Sequence, residues 1–239
     1  MTTVCRRLVA AVALLLLTAL AHAAPTAVGV LPSPEGMAPD TYEVQLEAHG
    51  PQLVQADESR YTLGVQASPF PQLEVGVDVR LGTPWDIWPS TSYRNDNLGY
   101  NPDREGFDDV WFNAKLQLLT ERALVPALSF GLVNIGASGP MGNYFSIGKH
   151  TGRLGLAIGG GKLYDNNQVF EIITWRLNAQ NTFVAEHLSG GRYSTNFALQ
   201  RQLSDQWRLK LGWLRSNTSL QDHEALVNLT YCGNLGLGL

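Results

Sequence analysis

Past its first two dozen residues, this 239-residue chain has no long apolar run. A bundle of membrane-spanning helices, each needing about 20 consecutive apolar residues, is thereby excluded. Cysteine is nearly absent: Cys5 lies at the extreme N-terminus and Cys232 is the only other one. A chain reduced to Cys232 can form neither an internal disulfide nor a cysteine-based metal cluster. An exported protein of this size without disulfides needs another source of rigidity, and a closed ladder of backbone hydrogen bonds supplies one. Bases are in the minority, 17 against 21 acids. That balance argues against nucleic acid as a partner, since such recognition requires a basic patch. No amphipathic helix separates the apolar segments, so parallel βαβ units are not expected.

What is present begins with an export signal. Arg6 and Arg7 precede the apolar run Leu8–Leu20, and Ala21-His22-Ala23 offers a small-residue cleavage site, with the cut expected after Ala23. Removing residues 1–23 takes two of the 17 bases and none of the 21 acids, moving the formal charge from −4 to −6. Residues 24–40, rich in Pro, Gly and Ala, read as an extended leader. Residues 41–239 read as a single β domain.

That domain is written in period-2 alternation, which sends successive side chains to opposite faces of a strand. In Leu73–Leu81 the apolar Leu73, Val75, Val77, Val79 and Leu81 alternate with Glu74, Gly76, Asp78 and Arg80. In Asp109–Leu118 the apolar Val110, Phe112, Ala114, Leu116 and Leu118 alternate with Trp111, Asn113, Lys115 and Gln117. Each strand is about ten residues long, enough for a tilted strand to cross a bilayer. The same reading gives strands near 42–48, 61–67, 127–134, 144–149, 153–159, 169–177, 182–188, 193–202, 207–215 and 225–231. Of these, 169–177 has a mixed pattern. Pro69 and Pro71 place a turn at 68–72, because proline cannot sit in a closed ladder. About twelve strands are thus expected, an even number that closes an antiparallel up-and-down barrel.

Loop lengths agree. Connections after odd-numbered strands (50–59, 82–109, 136–142, 160–168, 216–224) are longer than those after even-numbered ones (68–72, 120–125, 150–152, 178–181, 204–206). Long outside and short inside is the habit of bacterial outer-membrane barrels. Ser189–Arg192 is the exception, outside yet short. Tyr61, Trp207, Trp213, Tyr193 and Tyr231 fall near strand ends, where interfacial aromatic girdles sit. The chain runs eight residues past Tyr231, where outer-membrane barrels usually end on an aromatic residue. Residues 234–239 are therefore expected either to extend the closing strand or to form an atypical assembly signal.

On a barrel reading the polar faces line the lumen. Glu43, Glu47, Glu74 and Asp78 supply acids; Arg80, Lys115, Arg153, Arg208 and Lys210 supply bases. They either set a field across a narrow polar channel or neutralise one another in a plugged interior. The long connection 82–109 carries Trp85, Trp88, Tyr93 and Tyr100 beside Asp86, Asp96, Asp103 and Asp108. Aromatic platforms with carboxylates suit carbohydrate contacts, and the carboxylates suit calcium, although the spacing matches no calcium loop. A loop folding over the barrel mouth is the simpler expectation. No cofactor motif stands out: Gly159-Gly160-Gly161 ends a strand with no helix behind it.

His187-Leu188-Ser189-Gly190-Gly191-Arg192 is similar to the His-x-Ser-Asn-Gly-Arg segment of outer-membrane phospholipase A, another twelve-stranded barrel. His187 and Ser189 share a strand face, the minimum for an activated nucleophile. The family's Asn is Gly190 here, and no third residue stands out to orient the histidine. The segment Gly106–Lys115, followed by Pro126-Ala127-Leu128-Ser129-Phe130-Gly131, resembles a recurring unit of YjbH-like outer-membrane barrels, as does Ala185-Glu186-His187 before its Gly-Gly turn. That resemblance implies an association with exopolysaccharide production and carries no catalytic motif.

The expectation is a non-enzymatic barrel of the bacterial outer membrane, without cofactor, acting as a narrow conduit or envelope component. Its partners would be outer-membrane lipid and polysaccharide or small polar solutes. Two alternatives stand beside it: a barrel lipid hydrolase using Ser189 and His187, and a soluble periplasmic β protein binding an apolar ligand.

Overall fold

The computed structural model describes residues 31–50, 60–80, 110–135, 141–163, 166–189, 194–216 and 223–237. Twelve strands run in chain order: β1 (Thr41–Gly50), β2 (Arg60–Phe70), β3 (Leu73–Arg80), β4 (Val110–Leu119), β5 (Ala127–Ile135), β6 (Gly142–Thr151), β7 (Leu154–Leu163), β8 (Asn166–Arg176), β9 (Asn181–Leu188), β10 (Ser194–Gln202), β11 (Trp207–Ser216) and β12 (His223–Asn234). Each pairs antiparallel with its neighbours in sequence, and β1 pairs with β12 to close the barrel. Closure leaves no unpaired edge among the strands, which removes the aggregation hazard of an open sheet. The aromatic and acidic residues of the connection after β3, Trp85 to Asp108, lie outside the described residues.

Alternation settles which way the barrel faces. Glu43, Gln66, Glu74, Asp78, Lys115, Asn228 and Thr230 are buried on the inner side. The neighbouring positions carry Leu46, Val75, Phe112, Leu116, Ile158 and Leu211, all exposed on the outer side. A soluble sheet hides its apolar face; here that face is turned outward all round, the arrangement of a barrel surrounded by lipid. Trp207 packs edge-on against Tyr231 at 5.1 Å and Tyr42 lies 6.1 Å from the same ring, forming part of an aromatic band at one barrel end. That end carries Asp40, Leu235 and the short turns, and is the periplasmic one in barrels of this type.

Two local details depart from the sequence reading, and a third accounts for the mixed pattern it noted at 169–177. β2 runs on through Pro69 to Phe70, and the pairing with β3 shifts register between Ala67 and Phe70. The proline is accommodated at an irregularity where no ladder bond is required of it, and the turn shrinks to Pro71 and Gln72. β8 lacks clean alternation because Phe170 and Ile172 are buried inside while Val169, Ile173 and Trp175 are exposed outside. Both faces of that strand are apolar. Finally, residues 31–40 are extended as expected, but the first part of this segment lies inside the barrel.

Candidate functional site

The lumen is organised by a strap formed by residues 31–37. Leu31 is buried in a cluster with Tyr144, Leu163, Phe170, Ile172 and Leu188, an apolar patch on the inner wall of β6–β9. Its amide donates to Glu186 Oε1 at 3.2 Å. Pro34 is fully buried, and Gly148 makes the room: a Cβ there would stand 2.6 Å from the proline ring. Lys115 Nζ donates to the carbonyls of Glu35 at 2.6 Å and Ser33 at 3.4 Å. Met37 N–H donates to Glu74 Oε1 at 2.6 Å. A strap without regular structure must hand its backbone groups to other partners when it is buried; here wall side chains from β3, β4 and β9 take them.

Most of the acids and bases expected in the lumen are there, and they are paired. Lys115 and Glu74 are register partners on β4 and β3, with Nζ 2.9 Å from Oε1, and Gln66 Nε2 donates to the other carboxylate oxygen at 3.3 Å. Arg208 reaches from β11 past β12 to Glu43, 2.9 Å away. Asp78 accepts from Asn113 Nδ2 at 2.7 Å, and Glu47 from Asn228 Nδ2 at 3.1 Å. Lys210 is buried among the inward residues of β11. Two opposite-charge pairs, Lys115–Glu74 and Arg208–Glu43, therefore sit on the inner wall.

Two of the expected lumen residues stand apart. Arg153 is exposed in the turn between β6 and β7, not in the lumen, because β7 begins one residue later, at Leu154. Arg80 closes β3, and its side chain lies outside the described residues. Two acids were missed. Glu186 turns inward, accepting from Asn196 Nδ2 at 2.8 Å. Parity with the outward Phe183 and Ala185 was enough to find it. Glu224 is buried inside β12, and was missed because that strand starts two residues earlier than its apolar pattern suggests. Among the described wall side chains, Glu43, Glu47, Glu74, Asp78, Glu186 and Glu224 thus face Lys115, Arg208 and Lys210. The described part of the lining is acid-rich.

The histidine and serine of the hydrolase alternative share the outward face of β9 and its end, as expected, but are not joined. His187 Nδ1 lies 3.0 Å from Thr195 Oγ1, its register partner on β10. Ser189 Oγ accepts the Val169 N–H at 2.8 Å. Glu171 on β8 is the register partner of His187 on its other side, an acid that spacing along the sequence does not reveal.

No protein-family model matches the chain, and no curated protein does. Among solved structures, the chain is similar to the KdgM porin, with a TM-score of 0.53 at 12% identity over 80% of this chain and 98% of that one. The same porin in complex with disordered oligogalacturonate gives 0.45 at 11% identity, over 80% and 98%. An outer-membrane channel from Pseudomonas putida F1 gives 0.47 at 10% identity, over 88% and 100%. Together with the outward apolar belt, the first of these fixes the architecture as a twelve-stranded barrel of the bacterial outer-membrane type.

Proposed function

We propose that this outer-membrane barrel is a narrow conduit for small neutral or cationic polar solutes, with its own N-terminal strap as the resident obstruction. The observation that carries the reading is the seating of residues 31–37 against the inner wall by Lys115, Glu74 and Glu186. A barrel needing only a filled interior can fill it with side chains; this one fills part of it with a segment that precedes the first strand, held by bonds that can be exchanged for water. The KdgM porin is described in complex with disordered oligogalacturonate, a polyanion. The acid-rich lining described above opposes a polyanion in this chain, since like charge in a low-dielectric passage excludes it. Neutral oligosaccharides remain compatible, in keeping with the resemblance to exopolysaccharide-associated barrels.

Planar-bilayer recording tests this. The protein lacking residues 31–37 is expected to show a larger and steadier conductance than the full chain, with a reversal potential in a KCl gradient that favours potassium. Equal conductance from both proteins, or a chloride preference, would refute it.

A further inference from the structure

Three side chains far apart in sequence converge where the strap leaves the barrel. Glu35 belongs to the strap, Glu121 to the connection between β4 and β5, and His150 to the end of β6. His150 Nδ1 lies 3.2 Å from Glu35 Oε1 and 3.1 Å from Glu121 Oε2, and all three donor atoms fall within 4.8 Å of one another. We propose that Glu35, Glu121 and His150 form a binding site for a divalent first-row transition metal of the zinc class, and that the bound ion pins the strap to the periplasmic rim.

The two imidazole–carboxylate separations suit such an ion. Zinc bonds to nitrogen and oxygen at about 2.0–2.1 Å, so adjacent donors in a tetrahedral site stand about 3.3 Å apart. Both carboxylates are already turned for the task, because in each the oxygen facing away from the imidazole is engaged elsewhere. Glu35 Oε2 accepts from Ser33 Oγ at 2.6 Å. Glu121 Oε1 accepts from the His150 N–H at 3.0 Å and lies 3.5 Å from Lys149 Nζ. Outer partners of this kind fix the orientation of metal ligands and are a large part of a site's affinity.

The donor set selects the class. One imidazole and two carboxylates suit zinc and its neighbours, whereas calcium takes six to eight oxygens. The three side chains are 43%, 34% and 23% exposed for His150, Glu35 and Glu121, so an ion can enter and water can complete its shell. With no ion, the imidazole N–H bridges the same carboxylates. With one, three segments of chain are joined through a single centre, and the strap cannot leave without breaking a ligand bond. This inference depends on the strap's position and goes beyond the conduit reading.

Isothermal titration of the chelator-treated full chain in detergent with zinc chloride reads the site without any need for conduction. One zinc per chain is expected, with affinity weakened more than about tenfold in each of Glu35→Gln, Glu121→Gln and His150→Ala. Binding of unchanged affinity and stoichiometry in the triple variant would overturn the site. Loss in Glu121→Gln and His150→Ala with none in Glu35→Gln would overturn the pinning of the strap. Variants are compared only when their folded bands migrate as the parent's does in unheated electrophoresis. Failure of the conduit reading would show separately, as equal bilayer conductance with and without residues 31–37 while zinc binding persists.

Discussion

Replacing Lys115 by methionine would test how firmly the strap is held. Lys115 is buried, and its ammonium serves Glu74, the carbonyl of Glu35 and the carbonyl of Ser33. Methionine keeps most of the apolar stem and removes the charge. The strap loses two hydrogen bonds to a charged donor, and at about 1.5 kcal/mol each this amounts to about 3 kcal/mol. That is roughly a hundredfold in the ratio of seated to released strap. Glu74 loses its counter-charge but keeps the Met37 N–H and Gln66 Nε2 as donors. The assay is thiol labelling of Ser33→Cys in a Cys232→Ser background, because Ser33 is only 3% exposed while the strap is seated. Labelling is expected to quicken by about two orders of magnitude with Lys115→Met, while the closed ladder keeps the barrel folded. Equal labelling rates with and without the substitution would refute the reasoning.

Leu31→Ala removes most of a side chain buried against Tyr144 and Phe170. It is expected to loosen the strap by about 2–3 kcal/mol, read by the same labelling assay. Glu47→Gln with Glu224→Gln, made in the chain lacking residues 31–37, is expected to lower the potassium-to-chloride permeability ratio measured from reversal potentials, because both acids line the wall. Arg208→Met leaves Glu43 without its 2.9 Å partner. It is expected to lower stability in guanidinium unfolding by about 1–2 kcal/mol, toward the low end because the arginine is partly exposed. Ser189→Ala is expected to change nothing in fatty-acid release from phospholipid vesicles, since the hydroxyl is committed to the Val169 amide; activity in the parent that vanishes in this variant would establish the hydrolase.

The barrel was legible because its signal is local. Leu73–Arg80 and Val110–Leu119 announce their two faces within a single strand, and the polar sides of β1, β3, β4 and β11 led directly to Glu43, Glu74, Lys115 and Arg208. The signal weakened at β8, where Phe170 and Ile172 turn inward to pack around Leu31. An apolar patch inside a barrel erases alternation in the strand that supplies it. Strand ends were also poorly marked: a one-residue difference moved Arg153 out to a turn, and a two-residue difference hid Glu224. The strap was illegible for a different reason. Leu31-Pro32-Ser33-Pro34 has no period of its own, and its partners Lys115, Gly148 and Glu186 lie on distant strands. The Glu35, Glu121 and His150 cluster is hidden in the same way, one residue in each of three connecting or terminal segments.

The contact of the strap with the inner wall also orders events during assembly. The Lys115–Glu35 bond joins residues 80 apart, the Leu31–Glu186 bond residues 155 apart, and the Leu237–Asp40 bond at the seam residues 197 apart. Shorter loops close at lower entropic cost and sooner. Loop length alone therefore favours contact of the strap with β4 before β9, and of both before β12 returns to β1. On that order the wall would close around a strap already in place, which would act as an internal template for curvature. Chains lacking it are accordingly expected to refold from urea more slowly than the full chain, even where the finished barrel is the same.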